Sequence, residues 1–86
     1  MWEIYFTPQA QKDSRKISRS NLKDRVLELL SIIQSDPFVY PPEFEILKGK
    51  LNGFISRRIN YKHRLVYEVD KSHQIIKIVK MWTHYE

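Results

Sequence analysis

The sequence predicts an α+β domain, with two N-terminal helices packed on one face of a small, mainly antiparallel sheet. Three observations carry that expectation. Apolar residues recur at three- and four-residue steps between Leu22 and Ile33, the signature of one helical stripe. From Gly53 onward, three segments rich in Ile, Val, Tyr and Phe are separated by turns of a few residues, and segments joined so tightly must run antiparallel. A chain of 86 residues has room for one modest core, so residues 1–86 form a single domain.

Each element follows in order. Trp2 to Phe6 alternates bulky residues with Glu3 and reads as a short strand, closed by Thr7-Pro8, where proline suits the opening of a helix. A polar helix then runs to Ile17. Ser18 or Ser20 can cap a second helix carrying Leu22, Val26, Leu29, Leu30 and Ile33 on one face. That helix stops near Asp36-Pro37. The segment to Pro42 holds three of the four prolines and reads as a connector crossing the domain. The strands that follow are assigned to Gly53–Asn60, His63–Asp70 and Gln74–Trp82, with turns at Tyr61-Lys62 and Lys71-Ser72-His73. Tyr67 and Trp82 are assigned to the core.

Composition excludes several classes. The run Val26 to Ile33 is broken by Glu28 and Ser31 and is far shorter than the roughly 20 residues of a bilayer span, so no membrane association is expected. Met1-Trp2-Glu3 opens without the basic flank, apolar segment and small-residue site of a secretion signal, which predicts cytoplasmic residence. Without cysteine there is no disulfide, thiol nucleophile or zinc knuckle, and the three histidines have no metal-ligand spacing; no metal or other cofactor is expected. Gly49 and Gly53 are the only glycines and form no phosphate-cradling loop.

Charge is more informative. The net charge of +5 is concentrated in residues 43–86, where nine basic side chains face five acidic ones, against six and five in residues 1–42. Such a field attracts polyanions, of which nucleic acid is the commonest in cytoplasm. On charge alone, a solvated basic surface is an equally good reading.

Register sharpens the choice. With residues 60–62 as the first hairpin loop, position 59 pairs with 63 and Arg58 lies opposite Arg64; with a loop one residue shorter, Arg57 takes that place. Either way two arginines become cross-strand neighbours on the face opposite Leu65, Tyr67 and Val69. Like charges so placed destabilise a strand pair, which suggests an anion between them; the alternative is that they splay into solvent or meet Glu45 and Glu68. Glu45 precedes this hairpin and His84-Tyr85 follows the last strand. A carboxylate, an imidazole and two guanidiniums are the groups needed to cleave RNA without metal. Phe54, Tyr61 and Tyr85 are candidates to stack bases, and His63 and His73 are assigned no chemistry. Composition alone still favours a basic α+β domain over a nuclease.

Glu45-Ile46-Leu47-Lys48, Leu51-Asn52-Gly53-Phe54, Ser56-Arg57-Arg58-Ile59, His63-Arg64-Leu65-Val66-Tyr67 and the closing His84-Tyr85 resemble the YoeB/Txe branch of the RelE/ParE toxin superfamily. The match is dense over residues 43–86, and the helical half agrees in length and pattern, including Asp36-Pro37-Phe38. The resemblance implies a toxin of a type II toxin-antitoxin module that enters the ribosomal A site and cleaves mRNA to a 2′,3′-cyclic phosphate, stopping translation. Matched position by position, it makes Glu45 the general base, Arg64 the stabiliser of the transition state and His84 the general acid. Tyr85 orients substrate, while Lys48 and Arg58 contact phosphate.

The same resemblance implies a YefM/Axe-like antitoxin as partner, whose partly disordered segment wraps the toxin, with promoter DNA reached only through that antitoxin. It also implies ribosome and mRNA as targets, and a homodimer. Two departures bear on the tail. Glu86 places extra negative charge near the proposed phosphate site, and Thr83 stands where many relatives carry a larger or basic residue. Two other classes fit the fold: a ParE-like toxin that binds gyrase, although such toxins generally lack this Glu, Arg and His-Tyr set, and a non-catalytic RNA- or ribosome-binding module.

Overall fold

The computed structural model describes residues 2–82, apart from the side chain of Leu51. Strand β1 (Glu3–Phe6) leads into helices α1 (Pro8–Ser18) and α2 (Lys23–Ser35), followed by β2 (Phe44–Ile46), a 3-10 turn at Gly49–Leu51, β3 (Ile55–Arg58), β4 (Arg64–Asp70) and β5 (Ile75–Lys80). The strands form one sheet in the order β1-β5-β4-β3-β2. All neighbours are antiparallel except β1 and β5, which run parallel with both helices and strands β2, β3 and β4 between them in the chain. The expected α+β class is therefore observed. Two features escaped the sequence: the parallel β1–β5 pair and the three-residue β2.

Helix α1 opens as its sequence predicts. Thr7 Oγ1 accepts from the Ala10 amide at 3.1 Å, Pro8 occupies the first turn, and the Thr7 hydroxyl also reaches Val79 O at 3.2 Å, tying the helix start to β5. Helix α2 differs. Ser20 does not cap it; its Oγ accepts instead from the Leu22 amide in the preceding turn, and the helix begins at Lys23 without a side-chain cap. Val26, Leu29 and Ile33 of α2 and Ala10 and Ile17 of α1 pack with Leu65, Tyr67, Ile76 and Ile78 from the sheet. Each such aliphatic side chain contributes about 1.5–3 kcal/mol by leaving water. Trp82 joins the edge of this core and stacks on His63, with ring centroids 4.4 Å apart. Buried Asp13 accepts from the Met81 amide at 3.0 Å, so α1 holds the chain where it leaves β5.

The first hairpin follows the longer-loop register: Arg58 pairs with Arg64, and the Ile59 amide bonds His63 O at 2.9 Å. Arg57 therefore falls on the core face opposite Leu65, where it is fully buried. It meets no carboxylate among the described residues. Its guanidinium donates to the carbonyls of Pro37, Val39 and Pro42, its Nε donates to the Tyr67 hydroxyl at 2.9 Å, and it lies 4.7 Å from the centre of the Phe44 ring. The Tyr67 hydroxyl in turn donates to Pro37 O at 2.7 Å. A planar five-donor group can satisfy several divergent carbonyls at once, which lysine cannot. This bonded cluster clamps the proline connector to the sheet and delivers β2 to the edge of β3.

The remaining turns are local. Gly49 and Gly53 have φ of +79° and +87°, so the return from β2 to β3 uses backbone conformations open to glycine. Asp70 accepts from His73 Nδ1 at 2.8 Å, fixing His73 in the β4–β5 turn.

Two predictions test this clamp. Arg57→Ala lowers the unfolding free energy by about 3–5 kcal/mol in denaturant titration, because several buried carbonyls lose a charged donor, and Arg57→Lys does not restore it. Burial, only partly opposed by Arg57, raises the Tyr67 phenol above its ordinary 10.0. The neutral phenol's contribution is thus fully present below pH 10 and is lost as pH rises through the folded value. Alkaline unfolding followed by circular dichroism should show this loss, and Tyr67→Phe should remove it.

Candidate functional site

On the sheet face away from the helices, the alternation of strand side chains gathers a compact set. Glu45 pairs with Ser56, Ser56 with Val66, and Arg58 with Arg64, so all five belong to one face across β2, β3 and β4. Glu45, Ser56, Arg58 and Arg64 border a cleft of about 360 Å³ at the β2 side of the sheet, to which the end of the connector contributes Pro42 and Glu43 and α2 contributes Arg25. Arg25 is also paired with Glu28 on its own helix.

Glu45 and Arg64 form an ion pair, with Oε1 3.3 Å from Nη1. The pair spans from β2 to β4 and so passes diagonally over β3. The Glu45 side chain is 56% exposed and that of Arg64 24%, so water screens the contact and the pair is worth at most about 1 kcal/mol. An incoming phosphate can therefore displace the carboxylate from the guanidinium. Arg58 is exposed beside it and has no ion-pair partner among the described residues. The cross-strand arginines thus keep one cation free and one lightly held, a suitable arrangement for a dianionic or bridging phosphate.

Ser56 lies under this surface. The residue is 1% exposed, and its Oγ has no hydrogen-bond partner among the described residues. A buried hydroxyl left so costs about 1–3 kcal/mol.

Of the other residues singled out from sequence, Lys48 is exposed on the turn beyond β2 and does not line the cleft. Phe54 is half-buried, whereas Tyr61 is 87% exposed at the hairpin tip. His84 and Tyr85, like Thr83 and Glu86, lie outside the described residues. The structure therefore brings Glu45, Arg58 and Arg64 together and leaves Lys48 apart. Sequence reasoning passed over Arg25 and Ser56. Arg25 had no local signal, being one of several charges on an exposed helix face, but Ser56 shares the strand parity of Arg58 and was legible from alternation. Among the described residues no group of acids and histidines could hold a metal ion, and no helix is long and apolar enough to cross a membrane.

Residues 3–85 match the family described as YoeB-like toxin of bacterial type II toxin-antitoxin system. The chain is 35% identical to the toxin YoeB of Mycobacterium bovis, the alignment covering 99% of this chain and 100% of the relative. Among solved structures it is similar to a YoeB/ParE toxin from Agrobacterium tumefaciens, with TM-score 0.88 and 28% identity over 96% of this chain and 99% of the other. It is similar as well to the Staphylococcus aureus toxin. In a YoeB-YefM complex that toxin gives TM-score 0.80 and 39% identity over 99% of both chains; as a YoeB dimer it gives 0.79 and 37% over 98% of both. With the fold, the family match and the relatives in agreement over nearly the whole length, this chain belongs to the YoeB-like toxins of bacterial type II toxin-antitoxin systems.

Proposed function

We propose that this toxin is an endoribonuclease that cleaves mRNA in the ribosomal A site without metal, leaving a 2′,3′-cyclic phosphate and inhibiting translation. The observation that carries the reading is the Glu45–Arg64 pair at 3.3 Å in an open cleft, with Arg58 directly across the strand pair from Arg64. A base beside two cations is what transesterification requires. Glu45 accepts the 2′-hydroxyl proton, the 2′-oxygen attacks phosphorus, and the bond to the 5′-oxygen breaks as that oxygen takes a proton from His84. Arg64 and Arg58 bear the charge that builds on the phosphoryl oxygens. Lys48 contacts the flanking backbone and Tyr85 orients a base. The neutral imidazole that remains regains its proton from solvent, since its ordinary pKa of about 6.5 lies near operating pH.

By analogy with the YoeB-YefM complex, the partner is a YefM/Axe-like antitoxin, whose acidic segment suits this basic face; promoter DNA is met through that antitoxin. A homodimer follows the same analogy. The toxin acts in the cytoplasm, where its ribosomal target resides.

Purified toxin incubated with mRNA should generate new ends carrying cyclic phosphate only when ribosomes are present. His84→Ala and Arg64→Ala should each reduce the rate about a hundredfold or more with circular dichroism unchanged. Full cutting by both variants would remove these roles, and inhibition of gyrase supercoiling without RNA cutting would replace the reading altogether. Anion binding gives a second check. Polyphosphate at low salt should raise the melting temperature of the wild type, and less so for Arg58→Ala, with the difference vanishing at high salt. Equal shifts in the two proteins would take Arg58 out of the phosphate site.

A further inference from the structure

Ser56 lines the cleft, and the reaction above leaves its hydroxyl unused. Its Oγ is enclosed, belongs to the face that carries Glu45, Arg58 and Arg64, and is without a hydrogen-bond partner among the described residues. A serine in a strand interior cannot turn its hydroxyl to a carbonyl one helical turn back, as serines in helices do, and the ladder already occupies the neighbouring backbone groups. Its cross-strand neighbour on β2 is Glu45, and directly paired side chains on one sheet face lie within reach of each other. A donor without an acceptor thus sits beside a carboxylate that is turned toward Arg64.

We propose that Ser56 is a positioning residue for the general base. It receives the Glu45 carboxylate when substrate phosphate draws Arg64 away. The inference rests on the function proposed above. In the resting site Arg64 orients Glu45. Once Arg64 engages phosphate, Glu45 loses that contact at the moment it must accept a proton. The Ser56 Oγ–H, fixed in the sheet and shielded from competing water, donates to one carboxylate oxygen and leaves the other directed at the 2′-hydroxyl. The carboxylate thus exchanges its Arg64 contact in the empty cleft for the Ser56 hydroxyl in the loaded one. The hydroxyl touches no reacting atom. It acts by holding Glu45, and by stabilising its ionised form it keeps the base deprotonated at lower pH.

The test is the pH dependence of ribosome-dependent cleavage by the wild type, Ser56→Ala and Ser56→Thr, each checked by melting temperature. Ser56→Ala deletes an unpaired hydroxyl and is expected to melt at or above the wild-type temperature. Its kcat should fall about tenfold, and the acidic limb of its kcat profile should move up by roughly one unit, since Glu45 then protonates more readily in the loaded enzyme. KM should stay within about twofold, because Ser56 does not contact substrate. Ser56→Thr keeps the hydroxyl on a strand-favouring residue and should return the limb to its wild-type position. An unshifted limb in Ser56→Ala, or a rate loss in KM alone, overturns the proposal while the cleavage reading stands. Wild-type toxin that cuts no RNA overturns that reading and this proposal with it.

Discussion

Arg57 is buried and meets no carboxylate among the described residues; the carbonyls of Pro37, Val39 and Pro42 from the connector accept its charge, with the Tyr67 hydroxyl as a further acceptor and the Phe44 ring beside it. A guanidinium tolerates such a site because its charge is spread over a plane and its donors diverge. A proline-rich segment has carbonyls to spare, having lost amides that would otherwise bond them. The two needs answer each other. The connector has no regular structure of its own, so this one side chain fixes where β2 meets β3 and hence where Glu45 stands relative to Arg64. The position of the candidate base is set from the opposite face of the sheet.

Alternation is what separates these duties. Arg57 and Arg58 are adjacent in sequence and carry the same charge, yet one is buried among carbonyls and the other is exposed beside a cleft. Shifting the register by a single residue would exchange them, burying Arg58 and exposing Arg57. The Arg58–Arg64 juxtaposition is unfavourable taken alone, and the Glu45 contact relieves it only in part because water reaches that pair. Local conflict retained in an otherwise consistent sheet is where function is to be sought.

Much of this was legible before any coordinates. The helical stripe of Val26, Leu29 and Ile33, the antiparallel hairpins and an arginine opposite Arg64 all follow from periods of 3.6 and 2, while the choice between Arg57 and Arg58 waited on the loop length that the structure supplies. What escaped did so for physical reasons. Strand β2 is three residues long and stands at an edge, with Ile46 exposed, so it has almost no burial pattern to read. The parallel β1–β5 pair depends on packing between segments some seventy residues apart, which no local signal encodes. Arg57 fell at core parity in the longer-loop register, but a charge there contradicts the usual reading, and only the nearby prolines hinted at its acceptors. In the candidate site, register brought Arg64 opposite Arg58 or Arg57 and residue chemistry singled out Glu45, while family resemblance chose Arg58 and gave each its role; Ser56 was overlooked because serine seldom signals anything by itself.

The order β1-β5-β4-β3-β2 has a consequence for biosynthesis. Strand β5 is translated last of the five and inserts between β4 and β1, joining the hairpins to the N-terminal strand and completing the surface on which both helices pack. A nascent chain that has emerged only as far as β4 has no continuous sheet to bury its helical stripe, and non-local pairing of this kind is slow to form in any case. The folded domain therefore assembles only once β5 has cleared the exit tunnel.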